Sequence, residues 1–104
     1  MGVEVTSDEA EEQFVVTVDG ARAGLAAYRS RPGLRVFTHT EIDDAFEGQG
    51  LGSKLVSAAL DATRAAGLDV EPSCPFVRTY IERHPQYLDL VPEAIRGRYG
   101  LGAA

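Results

Sequence analysis

The chain has 104 residues, of which 44% are hydrophobic; residues 1–104 therefore read as one compact domain with a real core. A net charge of −6 argues against a general affinity for nucleic acid, and no apolar run approaches the ~18 residues that span a membrane. Cys74 is the only cysteine, which excludes an intramolecular disulfide and fits a reducing compartment, so a cytoplasmic location is expected.

The first dozen residues are polar and acidic, with a short leading strand expected at Val3 to Val5. Gln13 to Val18 is β-branched and aromatic and reads as a strand, closed by Asp19-Gly20, a strong hairpin signal. A second strand is predicted from Ala21 to Ser30. Arg31-Pro32-Gly33 forms the next turn, and a third strand runs from Leu34 to Ile42. The first half is thus an antiparallel meander. Strict alternation along the third strand puts Leu34, Val36, Thr38, Thr40 and Ile42 on a packing face. It puts Arg35, Phe37, His39 and Glu41 on the other.

From Leu51 to Ala66 the apolar spacing becomes helical, and Gly67 is a natural stop. Leu68 to Glu71 reads as a short strand, reached through a crossover helix and so parallel to the third. Ser73-Cys74-Pro75 opens a second short helix, Phe76 to Arg83, with Ser73 or Cys74 at its N-cap. His84-Pro85 ends it. Tyr87 to Val91 packs back as a helical turn, and the glycine-rich stretch 97–104 is expected to be loose.

Between the third strand and the first helix lies Glu47-Gly48-Gln49-Gly50-Leu51-Gly52-Ser53-Lys54. Alternating glycines before a helix can aim several backbone N–H groups at one anion, aided by the helix dipole, the Ser53 hydroxyl and the Lys54 cation. Taken alone, the turn is equally a ligand-free connection. Its spacing matches neither a Walker loop nor a dinucleotide fingerprint.

The whole arrangement resembles the core of the GNAT acetyltransferase superfamily, an α+β fold of meander, crossover helix, short parallel strand and second short helix. The superfamily's pyrophosphate motif, Gln/Arg-x-x-Gly-x-Gly/Ala, corresponds to Glu47-Gly48-Gln49-Gly50-Leu51-Gly52. The match is closer to a branch of small GNAT-like proteins. It is carried by His39-Thr40-Glu41, by Cys74-Pro75-Phe76-Val77, and by Tyr80-Ile81-Glu82-Arg83-His84-Pro85-Gln86-Tyr87, and it covers about residues 13 to 91. This chain departs from the superfamily motif at Glu47, an acid where a basic or amide residue is usual. Resemblance to the small branch also implies an open, shallow acceptor surface, without the extra elements that shape the acceptor site in full-size enzymes.

The resemblance implies an N-acetyltransferase that moves an acetyl group from acetyl-CoA to an amine acceptor, without a metal. The implied cofactor contacts are Ile42, Gly48, Gln49, Gly50, Leu51, Gly52, Ser53 and Lys54. It also implies a splayed V between the third strand and the Val70 strand, with His39, Glu41 and Cys74 gathered near its mouth. Transfer to an amine needs a base, donors for the developing oxyanion and a proton for the leaving thiolate. Glu41 or His39 is the candidate base, backbone N–H groups near Ile42 the oxyanion donors, and Cys74 either an acyl-accepting nucleophile or a proton donor. The acidic balance suits a cationic acceptor such as a lysine side chain or a polyamine. A non-catalytic acyl-CoA-binding module is the alternative.

Overall fold

A computed structural model describes residues 2–102 of the chain. Five strands, β1 (Val3–Asp8), β2 (Gln13–Val18), β3 (Ala21–Arg31), β4 (Leu34–Ile42) and β5 (Asp69–Pro72), form one sheet in sequence order. The first four pair antiparallel, whereas β4 and β5 are parallel and joined through helix α1 (Leu51–Ala65). Helix α2 (Pro75–Arg83) follows β5. This is the α+β arrangement expected from the sequence, with β1 running on to Asp8. The β2–β3 hairpin closes through Asp19 and Gly20, whose φ angles of 50° and 85° suit a tight two-residue turn.

Helix α1 buries Leu51, Leu55, Val56, Ala59, Leu60 and Thr63, an i, i+4, i+5, i+8 stripe that faces the sheet. Opposite it stand Phe14, Val16, Ala26, Tyr28 and Phe37. The rings of Phe14, Tyr28 and Phe37 lie 5.5 to 6.3 Å apart, tilted or stacked, geometries favoured by their quadrupoles. Among them sits Arg35, 8% exposed, with its guanidinium 4.6 Å from the Tyr28 ring and 5.3 Å from that of Phe14. It donates from Nη1 to the Thr63 hydroxyl at 3.0 Å, while its Nε has no partner among the described residues. Ring faces thus replace a carboxylate partner for this buried cation.

Strand β4 departs from strict alternation. Tyr28 pairs with Phe37 and Ala27 with His39, so Thr38 is an extra, bulged residue. A one-residue insertion reverses which face each later side chain takes. Ahead of the bulge, Arg35 and Phe37 are the buried face, contrary to the expected packing face. Beyond the bulge, Thr40 and Ile42 turn inward opposite Ala26 and Gly24, while His39 and Glu41 turn outward.

The segment after α2 is tied back firmly. A 3₁₀ turn, Pro85–Leu90, is held to α1 by Arg64, which donates from Nη1 to Asp89 at 2.7 Å and from Nη2 to the Gln86 carbonyl at 2.9 Å. Tyr87 donates to Asp61 at 2.8 Å. The expectation of a loose tail is corrected over residues 97–102. Leu101 is 3% exposed, its N–H reaches the Arg96 carbonyl, and Tyr99 donates to Glu71 of β5. Apolar burial by Leu101 and Tyr99 outweighs the glycine entropy there. Ala103 and Ala104, also expected in that tail, lie outside the described residues.

Candidate active site

Strands β4 and β5 run together only from Leu34 to Phe37. The Cys74 N–H donates to the Phe37 carbonyl at 2.8 Å, and there the two chains part. Beyond that point the β5-side edge of β4, from Thr38 to Ile42, has no strand partner among the described residues. The V opens into a cleft of about 370 Å³ lined by Thr40, Glu41, Ile42, Phe46, Glu47, Gly48, Gly50, Leu51, Gly52, Ser53 and Phe76. One wall is the end of β4 and the 3₁₀ turn Asp44–Phe46; the floor is the start of α1; the far wall is Phe76 of α2.

The glycine turn forms the floor because of its backbone. Gly48 and Gly50 have φ of 81° and 72°, a left-handed conformation that side chains with a Cβ resist. Gly50 is the N-cap of α1 and supplies no side-chain cap, and no acid stands in the first helical turn. Among the described residues, none of the amides from Gly48 to Ser53 donates a hydrogen bond; Lys54 N–H is the first engaged, on the Gly50 carbonyl. Six consecutive unengaged donors at a helix N-terminus make an anion cradle. A Cβ at Gly52 would lie 2.7 Å from Cζ of Phe76, so this glycine lets α2 close over the turn.

The candidate catalytic residues divide between two faces of the sheet. Cys74, 3% exposed, caps α2 behind the cleft wall, with its Sγ 3.4 Å from Oγ1 of Thr40. His39 and Glu41 point to the outer face, paired with each other at 2.8 Å and with side chains 61% and 54% exposed. The three do not gather at one point, because the Thr38 bulge turns His39 and Glu41 away from the face that carries Cys74. Glu41 still reaches the cleft rim, whereas His39 does not line it. Of the expected cofactor residues, Ile42, Gly48, Gly50, Leu51, Gly52 and Ser53 line the cleft; Gln49 is exposed beside it, and Lys54 lines an adjoining groove.

Three residues that line the cleft were not among the expected site residues. Thr40 was read as packing and is instead the polar group between cleft and thiol. Phe46 and Phe76 supply the apolar walls, and Phe76, 44% exposed, is the one large hydrophobic side chain left open among the described residues. Phe76 stood in the Cys74-Pro75-Phe76-Val77 motif, so its signal was present. Among the described residues no cluster of three His, Cys, Asp or Glu side chains could hold a metal, and no helix is long and apolar enough to cross a membrane.

A family model described as GCN5-related N-acetyl-transferase matches residues 13–90. Protein NATD1 of Gallus gallus is 30% identical over 91 residues, covering 84% of this chain and 83% of that protein. Protein NATD1 of Homo sapiens is also 30% identical, covering 84% of this chain and 80% of its own length. The fold is similar to the NMR solution structure of a GCN5-like protein of Staphylococcus aureus, with a TM-score of 0.66 and 25% identity over 86% of this chain and 87% of that one.

Proposed function

The chain belongs to the GCN5-related N-acetyltransferase family, and we propose that it transfers an acetyl group from acetyl-CoA to a primary amine in a direct, ternary-complex reaction. The observation that carries this reading is the joining of the unengaged Gly48–Ser53 amides to the unpaired edge of β4 in one cleft. The cradle suits the pyrophosphate of acetyl-CoA, and the slot between Phe46 and Phe76 suits its thin, largely apolar pantetheine arm. The thioester then lies along β4 between Thr40 and Ile42.

In the proposed reaction the ammonium form of the acceptor first loses a proton to Glu41, directly or through water. The free amine attacks the thioester carbonyl, and backbone N–H groups near Ile42 stabilise the oxyanion. As the C–S bond breaks, the CoA thiolate takes a proton relayed from Cys74 through the Thr40 hydroxyl. The acceptor nitrogen of the intermediate gives up its second proton to solvent, the Cys74 thiolate takes a proton back from solvent through the Thr40 hydroxyl, and Glu41 releases to solvent the proton it took from the ammonium, which is the one proton the reaction sets free. The burial of Cys74 favours this proton-donor role over attack on the thioester. His39 orients the Glu41 carboxylate through their 2.8 Å contact. Glu41, Asp43, Asp44 and Glu47 make the β4 rim acidic, which suits a cationic acceptor.

The alternative is a module that binds acyl-CoA without turnover, favoured by Glu47 at the cradle and by the outward His39–Glu41 pair. Following free-thiol release from acetyl-CoA over a panel of amines separates the two. The enzyme reading expects release that depends on acceptor concentration. Calorimetric binding of CoA with no acceptor-dependent release on any amine would leave the binding module.

A further inference from the structure

The strand register puts Glu41 at the end of a row that crosses the sheet. Glu41 of β4 pairs with Leu25 of β3, Leu25 with Val15 of β2, and Val15 with Thr6 of β1. Their neighbours along the strands, among them Phe14, Val16 and Ala26, point into the core. Side chains alternate along a strand, so the four of the row stand on the face turned away from α1. Leu25 and Val15 are half-buried, apolar and outside the core cluster, while Thr6 and Glu41 are exposed.

The row is apolar in the middle and acidic at both ends. On β1, Glu4 and Asp8 lie two residues to either side of Thr6 and share its face. The Glu4 carboxylate has no ion-pair partner among the described residues, and Asp8 accepts from the neutral side chain of Gln13 at 3.4 Å. Two basic side chains border the row. Arg22 pairs with Thr17 and so stands two strands away from Glu4; His39 pairs with Ala27 and is engaged with Glu41. Adjacent strands lie about 4.8 Å apart, which puts Glu41 roughly 14 Å from the β1 carboxylates, with Leu25 and Val15 between them.

We infer that this row seats a linear aliphatic polyamine. Its reacting ammonium meets Glu41, its methylene chain crosses Leu25 and Val15, and a remote ammonium lies between Glu4 and Asp8. This acceptor class rests on the acetyltransferase reading with Glu41 as the base, and narrows it. The acyl transfer is the one described above, with a terminal amine of the polyamine becoming the amide. Extended spermidine falls a little short of the span between the acidic ends and spermine a little beyond it, differences that flexible carboxylate side chains absorb. Putrescine covers less than half of it. A lysine in a peptide brings one ammonium to Glu41 but lays polar backbone on Leu25 and Val15, which cannot hydrogen-bond to it.

The test is free-thiol release from acetyl-CoA with butylamine, putrescine, spermidine, spermine and a lysine-containing peptide at one ionic strength. The ratio kcat/KM should rise by about tenfold or more from butylamine to spermidine and spermine, through covered methylenes and one further exposed ion pair. Putrescine should stay near butylamine. Glu4→Gln combined with Asp8→Asn should remove about threefold to fivefold of the preference for the two long polyamines over butylamine. Equal kcat/KM for the four amines, a double-variant loss that falls equally on butylamine and spermine, or turnover of the peptide alone overturns the inference while acetyl transfer stands. A stable dimer in light scattering that Leu25→Asp dissociates gives the face to a second copy of the chain and overturns it too. Binding of CoA with no release on any acceptor removes the acetyltransferase reading and this inference together.

Discussion

The hydroxyl of Thr40 lies 3.4 Å from the sulfur of Cys74, and this contact connects a buried thiol to the open cleft. Cys74 itself does not line the cleft. The proton route therefore runs through Thr40, and replacing it by the isosteric valine should break the route while keeping the packing. Thr40→Val should lower kcat by on the order of tenfold to a hundredfold, toward the lower end of general-acid contributions. Its KM for acetyl-CoA should change little. Cys74→Ala should match it, and the double variant should be no worse than either single one, as expected for residues acting in series. Steady-state kinetics on the four proteins checks this.

Gly50 holds a φ of 72° at the N-cap of α1. Gly50→Ala should cost about 1 kcal/mol of stability through backbone strain. In a domain of this size that is a melting-temperature drop of about 4–8 °C. CoA affinity should fall further than stability does, since the strained turn re-aims the amides. Glu47→Gln should act in the opposite direction, tightening CoA by removing a like charge from the cleft, and the gain should shrink as salt is raised. Thermal melts and calorimetry report the two effects separately.

Glu41 and His39 form an outward pair rather than part of a cluster with Cys74. Glu41→Gln should therefore lower the rate with amine acceptors by about a hundredfold or more, the general-base range, without weakening CoA binding. His39→Gln should cost less, because it removes only the group that orients the carboxylate. Rates measured against acceptor concentration distinguish these outcomes. Equal and full activity of both variants would remove the pair from the mechanism.

Stability should fall at alkaline pH. The Tyr99 phenol is pushed up by its hydrogen bond to the Glu71 carboxylate and by burial; Tyr87 is pushed up chiefly by burial. A raised folded-state value means that the stabilisation is complete below the unfolded tyrosine value, about 10. It is lost as the pH climbs from there through the folded values. Tyr99→Phe should lower stability at pH 7 by about 1 kcal/mol, the worth of one hydrogen bond. It should also flatten the decline above pH 10, as seen in melts across pH 8 to 11.

Most of the architecture was legible because its signals are local. Asp19-Gly20 marks the hairpin, the Leu51 to Leu60 spacing marks α1, and Gly67 with Pro72 bounds β5. The V was legible only through resemblance, since nothing in Thr38 announces a bulge. That single inserted residue exchanges the faces of β4, and it moved Thr40 into the site and His39 out of it. The docking of Leu101 was hidden for a different reason. Its flanking glycines suggest a loose chain, whereas the apolar surface that receives it is built from Ile81 and Leu88, distant in sequence. The apolar role of Phe76 depends on the bare Cα of Gly52, a contact between two elements that no local pattern reveals.

The most direct test is an ¹⁵N–¹H NMR titration of the intact protein with acetyl-CoA. The amides of Gly48, Gly50, Leu51, Gly52 and Ser53 should shift strongly downfield as they engage the pyrophosphate, together with Ile42 on the β4 edge. Val15 and Thr17 on the outer face of the sheet should stay in place. Saturable shifts elsewhere that leave the Gly48 to Ser53 amides unmoved, or no shifts at millimolar ligand, would contradict the account.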